Sequence, residues 1–306
     1  LGAFTFVALF PYMLNIIRLL KPGSIIKRLA IEITKDKIIN SEEDPIQPIM
    51  DIIHGSIRKY DLETTRVGLK KVTKQVIGII DSDGEEEISG RFCKHLERVG
   101  KLAVSSMDGE STEEVIENFE WFGKSTAKKG LESATANTIM FLKAVGVTAM
   151  EKGLVVATWR AVESMGVVGE AAVEKGLEKA TQQAARYLGH FGRSTAEKGL
   201  LGKTKQIART LEDIGKAAIA KGLKGATGQV IKSLIDIGIA TSPIGKLEDA
   251  TRHAAKSLAE LTISSEEIVK EAIQDYESEL KEQDRDTFQK FMEIYKQEVE
   301  RLGAGE

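Results

Sequence analysis

Residues 123–154 read GKSTAKKGLESATANTIMFLKAVGVTAMEKGL, and in them Lys129-Gly130-Leu131 returns as Lys152-Gly153-Leu154 after 23 residues. The same tripeptide stands at 175–177, 198–200 and 221–223, and Gly245 falls at the sixth position in a degraded copy. A second glycine recurs seven residues earlier, at Gly123, Gly146, Gly169, Gly192, Gly215 and Gly238. Threonine follows the central glycine by five residues in every full copy, as Thr135, Thr158, Thr181, Thr204 and Thr227. Alanine precedes it at 134, 157, 180 and 226, and an apolar residue lies twelve after the glycine at Leu142, Met165, Leu188, Leu211 and Leu234. A fixed period of this length marks stacked copies of one supersecondary unit, each burying its apolar face on its neighbours.

The period also constrains the geometry. At about 100° per residue, 23 residues leave a straight helix about 140° out of phase with its own start, so an unbroken helix would lose its buried face. The helix must therefore bend or stop once per repeat. Lys-Gly-Leu suits a stop: glycine takes the left-handed C′ position, leucine at C″ packs back, and lysine complements the C-terminal dipole. The second glycine can mark another break or a close approach of neighbouring helices. The pattern favours two short helices per repeat, about 7 and 14 residues long given these stop positions; one longer helix, alternating up and down, is the alternative. Either way the recurring Leu, Ala and Thr read as core. The expected fold is all-α, a helical-repeat (α-solenoid-like) array of 23-residue units with helical flanks.

Composition agrees. Five prolines, 6% aromatics and a single cysteine in 306 residues do not suit an all-β or disulfide-built domain, and the repeat accounts for much of the 28-glycine excess. The net charge of −3 is unevenly spread: residues 1–122 carry −4, residues 123–245 carry +8 and residues 246–306 carry −7. The chain accordingly divides into a membrane-proximal apolar segment 1–21, an N-terminal helical region 22–122, the repeats 123–245 and acidic C-terminal helices 246–306.

Residues 1–17, LGAFTFVALFPYMLNII, hold no charge, and Arg18, Lys21, Lys27 and Arg28 follow. A span needs about 20 apolar residues, so this run suits the end of a transmembrane helix, and the basic cluster then places the remainder in the cytoplasm. Farther on, IIKRLAIEITKDKII after Pro22-Gly23-Ser24 predicts a helix, Glu43-Asp44-Pro45 opens another, and Asp61 precedes a long apolar stripe ending at Asp81-Ser82-Asp83-Gly84. Glu85-Glu86-Glu87 then supply first-turn charge. Ser111 with Glu114, and Ser264 with Glu267, have capping-box spacing. Two acidic C-terminal helices ending near Leu302 read as an end cap for the array or as an oligomer contact.

PYMLNIIRLLKPGSIIKRL at 11–29 and EDPIQPIMDIIHGSIRKYDLETTRVGLKKV at 43–72 resemble, over about residues 1–80, the membrane-exit and cytoplasmic part of a family of predicted prokaryotic membrane proteins, a domain of unknown function. The resemblance implies transmembrane helices upstream of Leu1 and a cytoplasmic region after it. It assigns no catalytic residue.

Chemical motifs are sparse. Gly199-Leu200-Leu201-Gly202-Lys203-Thr204 imitates the end of a phosphate-binding loop, but the spacing needs glycine at 197, where Glu197 stands. Cys93 and His95 are too few for a metal site, and i, i+2 positions on a helix point apart. His54, His190 and His253 are isolated. No cofactor, metal or catalytic set is expected, and the basic middle lacks the arginine clusters and interleaved aromatics of a nucleic-acid surface. What remains is a lysine ladder, Lys129, Lys152, Lys175, Lys198 and Lys221, which is a capping feature or a row that binds an anion or acidic partner. The sequence thus points to the cytoplasmic repeat domain of a membrane protein, acting through a protein partner or self-association as a scaffold. The alternative is a regulatory or sensory domain binding an anionic ligand along its basic face.

Overall fold

The computed structural model describes residues 21–41, 43–83, 86–242, 248–281 and 284–303. The apolar run 1–17, Gly84, Glu85 and Gly245 lie outside the described residues. Within them the chain forms fourteen α-helices and no strand, as expected of an all-α helical-repeat array. The first seven are α1 (Pro22–Glu32), α2 (Lys35–Asn40), α3 (Gln47–Arg58), α4 (Leu62–Asp83), α5 (Glu86–Ser105), α6 (Gly109–Lys128) and α7 (Glu132–Glu151). The rest are α8 (Val155–Glu174), α9 (Glu178–Glu197), α10 (Leu201–Lys221), α11 (Lys224–Thr241), α12 (Glu248–Ser264), α13 (Glu266–Glu279) and α14 (Arg285–Gly303). They fall into two compact units, one of residues 1–125 with 144–160 and one of 126–143 with 161–306.

Each 23-residue repeat is one helix, not two. From α7 to α11 the helices run 18 to 21 residues, and the second glycine sits inside them. The expected break there does not occur, because glycine costs a helix interior only about 1 kcal/mol and its missing side chain admits a neighbour. The rotational mismatch is removed by reversing the chain at every turn, so that a face need be kept for only one helix.

The reversal is built as the tripeptide suggests. Gly130, Gly153, Gly176, Gly199 and Gly222 all have φ between 70° and 77°. The following leucine N–H reaches back to the carbonyl five residues earlier, as in Leu177 to Ala172 at 3.0 Å and Leu223 to Ala218 at 2.9 Å. Glycine bonds the carbonyl three residues back, which together satisfy the last turn of the outgoing helix. The same leucine starts the next helix: its carbonyl accepts both the backbone N–H and the hydroxyl of the repeat threonine, at 3.0 and 2.8 Å for Thr181 on Leu177. All five threonines and the flanking alanines are buried.

This turn also occurs where the glycine signal is missing. Tyr60 and Met107 have φ of 54° and 55°, and Asp61 N–H to Ser56 O (2.9 Å) and Asp108 N–H to Ala103 O (3.2 Å) repeat the leucine bond. Met107 is 23 residues before Gly130, and Thr65 and Thr112 lie five after Tyr60 and Met107, each bonding the residue four back. At Met107 the 23-residue register therefore continues into the N-terminal helical region, while the Tyr60 turn, 47 residues before Met107, lies one residue off it.

The second glycines set the packing. A Cβ on Gly169 would lie 2.8 Å from Ala184 Cβ and 3.2 Å from Ile214 Cδ1; on Gly192, 3.2 Å from Ile207 Cγ2 and 2.7 Å from Ile237 Cγ1. The first partner of each pair mirrors the glycine about the turn, so successive helices are antiparallel. The second stays a constant 45 residues on, so next-but-one helices are parallel. Gly100, on the same register, meets Val115 and Val145 in the first unit at 3.3 and 3.0 Å.

The flanks follow local capping. The predicted helix after Pro22 breaks at Ile33, and Thr34 caps α2 by accepting from Lys37 N–H at 3.4 Å. Asp61 Oδ1 caps α4 through Thr64 N–H at 3.1 Å. The expected box at Ser111 and Glu114 is displaced: Asp108 Oδ1 is the cap, accepting from Ser111 N–H at 3.0 Å, because the left-handed turn ends at 107. Ser264 does not cap either; it closes α12 by donating to Glu260 O at 3.0 Å, and α13 starts after Ser265. In the second unit α13 and α14 cover the last repeat. Phe291 is fully buried against Gly238, Tyr276 OH donates to Asp236 Oδ1 at 2.7 Å, and Tyr295 OH pairs with Thr262 Oγ1 at 2.8 Å.

Two glycine substitutions separate these roles. Gly192→Ala should lower stability by about 1–3 kcal/mol through overpacking on Ile237. Gly228→Ala, inside α11 with open space around it, should raise stability by about 0.5–1 kcal/mol. Urea midpoints at unchanged slope report both.

Candidate functional site

The five ladder lysines are all exposed, each one residue before the left-handed glycine. They do not form one row. Consecutive lysines sit at opposite ends of the helix between them, about 30 Å apart for 20 residues. In the second unit Lys129, Lys175 and Lys221 share one end, and Lys198 lies at the other; Lys152 belongs to the first unit. At the three-lysine end the helix starts are tied by carboxylates. Glu132 accepts from Lys179 N–H at 2.7 Å, and Glu178 accepts from Gly225 N–H at 2.8 Å. This end therefore alternates exposed ammonium groups with engaged carboxylates.

In the first unit the parallel helices α4 and α6 enclose an open groove of about 450 Å³, lined by Arg66, Lys70, Glu114, Glu117, Asn118 and Trp121. Arg66 Nε donates to Glu114 Oε1 across it. Asn118, only 5% exposed, spends its amide N–H on Glu114 O at 2.8 Å, which fixes the amide orientation and leaves its buried Oδ1 without a donor. Trp121 is 37% exposed at the next turn. Glu110, Glu113, Glu114, Glu117 and Glu120 share this side of α6 by helical spacing. Arg160 from α8 answers two of them, at 3.3 Å to Glu117 and 3.8 Å to Glu120. Burial, with the neighbouring Glu117 and Glu110 carboxylates, raises the pKa of Glu113 above the ordinary glutamate value. The groove thus sets the glutamates of α6 against Arg66 and Lys70 of α4, with one indole and one unmet acceptor.

The other sequence candidates are structural in their surroundings. His95 pairs through Nε2 with Asp44 Oδ2 at 2.6 Å, while Asp44 Oδ1 accepts from Ile46 N–H at 2.9 Å ahead of α3. Cys93 is buried. Lys203 and Thr204 lie in α10, with Thr204 bonded to Leu200 O and to Thr195 Oγ1 as the repeat requires. Among the described residues no group of three or more His, Cys, Asp and Glu could hold a metal ion.

Sequence reasoning missed Asn118 and Trp121, which lie outside the conserved-looking repeat positions and give no signal until α4 is laid beside α6. It also missed Tyr60 and Met107 as turn residues. The signal was available in Thr65 and Thr112, five residues on in each case, but it was hidden because neither turn carries glycine.

No family model matches the chain, and no curated protein matches it. A solved structure described as a circular tandem repeat protein with novel repeat topology and enhanced subunit contact surfaces is similar at 16% identity and a TM-score of 0.38, covering 94% of this chain and 76% of that one. The fold is established by the chain's own turns and packing rather than by that likeness.

Two outcomes are expected. Tyr60→Gly should stabilise the chain by about 1 kcal/mol, since a side chain in the left-handed region costs about 1–2 kcal/mol, and a urea midpoint reports it. The pH dependence has a definite sign. Burial, above all, holds the pKa of His54 below 6.5 against the pull of Asp51, and burial with Arg209 does the same to His253. The unfolded chain then takes up protons first as the pH falls through 6.5, so stability is full above that value and declines below it. His54→Gln should shrink the drop in urea midpoint between about pH 7.5 and 5.5; an undiminished drop would assign the acid sensitivity elsewhere.

Proposed function

We propose that the chain is the membrane-anchored, cytoplasmic helical-repeat domain of a prokaryotic membrane protein, and that it works as a protein-interaction or assembly scaffold without chemistry of its own. The observation that carries the interaction reading is the α4–α6 groove. A half-exposed tryptophan beside arginine and a buried, unmet acceptor is the composition of a protein contact rather than of a solvated helix face. The five glutamates of α6 select a basic partner segment, whose charges would answer the carboxylates that Arg66, Lys70 and Arg160 leave over. Anchoring in this reading falls to residues 1–17, since no described helix is long and apolar enough to cross a membrane.

A photo-crosslinking amino acid in place of Trp121, in cells that make the protein naturally, should give one discrete adduct. The same group at exposed Lys71, about 100° round α4 from Lys70, should give none, and Glu117→Lys should abolish the Trp121 adduct. Equal crosslinking at both positions, or none at Trp121, would remove the groove as a contact site.

A further inference from the structure

In the first unit four of the exposed large apolar side chains gather on successive turns at one end, while Ile31 and Trp121 lie elsewhere on it. Tyr60, Met107, Val155 and Val156 are 69%, 56%, 62% and 65% exposed. Tyr60 and Met107 occupy the left-handed position that five other turns give to glycine, so they are held outward against a local penalty of about 1–2 kcal/mol. The two turns are neighbours, with Tyr60 OH donating to Ser106 O at 3.4 Å. Arg160 of α8, one turn beyond Val156, meets Glu117 of α6, which sets the third turn beside the second.

The N-terminal segment joins the unit at this same end. α1 runs alongside α4 in the same direction: Gly23 faces Val67, Ile26 faces Gly68, and Gln75 Nε2 donates to Ile33 O at 3.0 Å. Lys21 is therefore level with the first turns of α4, next to the Tyr60 turn. Exposed Lys21, just before α1, lies at this end with exposed Arg58 and Lys59 at the end of α3, and exposed Lys27 and Arg28 follow one to two turns along α1. Among the carboxylates at this end, Asp61 and Asp108 are engaged as helix caps, and exposed Glu63 and Glu110 stand in the first turns of α4 and α6.

We propose that this end of the first unit rests on a lipid bilayer, with Tyr60, Met107, Val155 and Val156 in the headgroup region and the basic side chains on anionic headgroups. The inference rests on the reading that residues 1–17 enter the membrane. From the last of that uncharged run, Ile17, to Lys21 is four residues, which reach at most about 14 Å even fully extended. A bilayer entered at Ile17 is therefore within reach of the apolar tips. Tips on separate turns suit a fluid surface, which needs no shape match, and tyrosine and basic side chains favour the membrane interface.

The test uses the chain 1–306 with vesicles of phosphatidylcholine and phosphatidylglycerol at 4:1. An environment-sensitive fluorophore goes on Met107→Cys, on Val156→Cys, or on Glu86→Cys at the opposite end of α5; native Cys93, 1% exposed, stays unlabelled in the folded chain. Both tip probes should gain at least about twofold in emission on vesicle addition and lose access to iodide, while the Glu86 probe stays unchanged. As a second measure, Met107→Asp with Val156→Asp should weaken vesicle co-flotation at least about fivefold. Co-flotation with both tip probes still quenched would overturn this inference and leave the membrane reading intact. A chain that does not float at all overturns both. Shielding of the tips without vesicles would assign them to a second copy or to the N-terminal segment, and likewise overturns the lipid contact.

Discussion

The structure depends on one backbone arrangement, a left-handed residue followed by a residue that closes one helix and opens the next. The leucine of Lys-Gly-Leu gives its N–H to the outgoing helix and its carbonyl to the incoming one, where the repeat threonine uses it twice. Almost no residues are spent on the connection, so helices must run antiparallel and in contact. The threonine hydroxyl, buried at every copy, is satisfied by the turn itself and needs nothing from the neighbouring helices. That self-sufficiency is why the turn can be copied along the chain without adjusting its surroundings.

Given such turns, the interior glycines decide how closely the layers approach. A glycine at the second register lets a side chain from the next helix and one from the helix after it meet at the same backbone, as Ala184 and Ile214 do at Gly169. In the second unit the polar surfaces then fall into register. Lys205 meets Asp249, Lys216 meets Glu260 and Lys232 meets Glu279, each pair 44 or 47 residues apart. Exposed pairs of this kind contribute at most about 1 kcal/mol each, so they tune the packing that the glycines impose rather than cause it.

The two surfaces singled out here use the same architecture differently. The α4–α6 groove gathers residues 48 to 55 positions apart onto parallel helices, where Arg66, Asn118 and Trp121 become neighbours. The apolar end uses the turns, replacing glycine by tyrosine and methionine at positions where the backbone disfavours them. A lysine ladder that looks continuous in sequence is, by contrast, divided between helix ends by the alternation of direction.

The sequence by itself determined the helical class, the 23-residue unit, the stop at Lys-Gly-Leu and the buried Leu, Ala and Thr positions, because these depend on interactions within a few residues of the turn. It favoured two helices per repeat, where the structure has one. Glycine permits either, and only the side chains of two other helices, such as Ile207 and Ile237 at Gly192, resolve it in favour of one. The structure placed the α6 cap at Asp108, set left-handed turns at Tyr60 and Met107, and assembled the groove. The two glycine-free turns and the Asp108 cap are local and lack only the glycine signal. The groove turns on contacts between residues tens of positions apart, which a periodic pattern of short-range preferences does not encode.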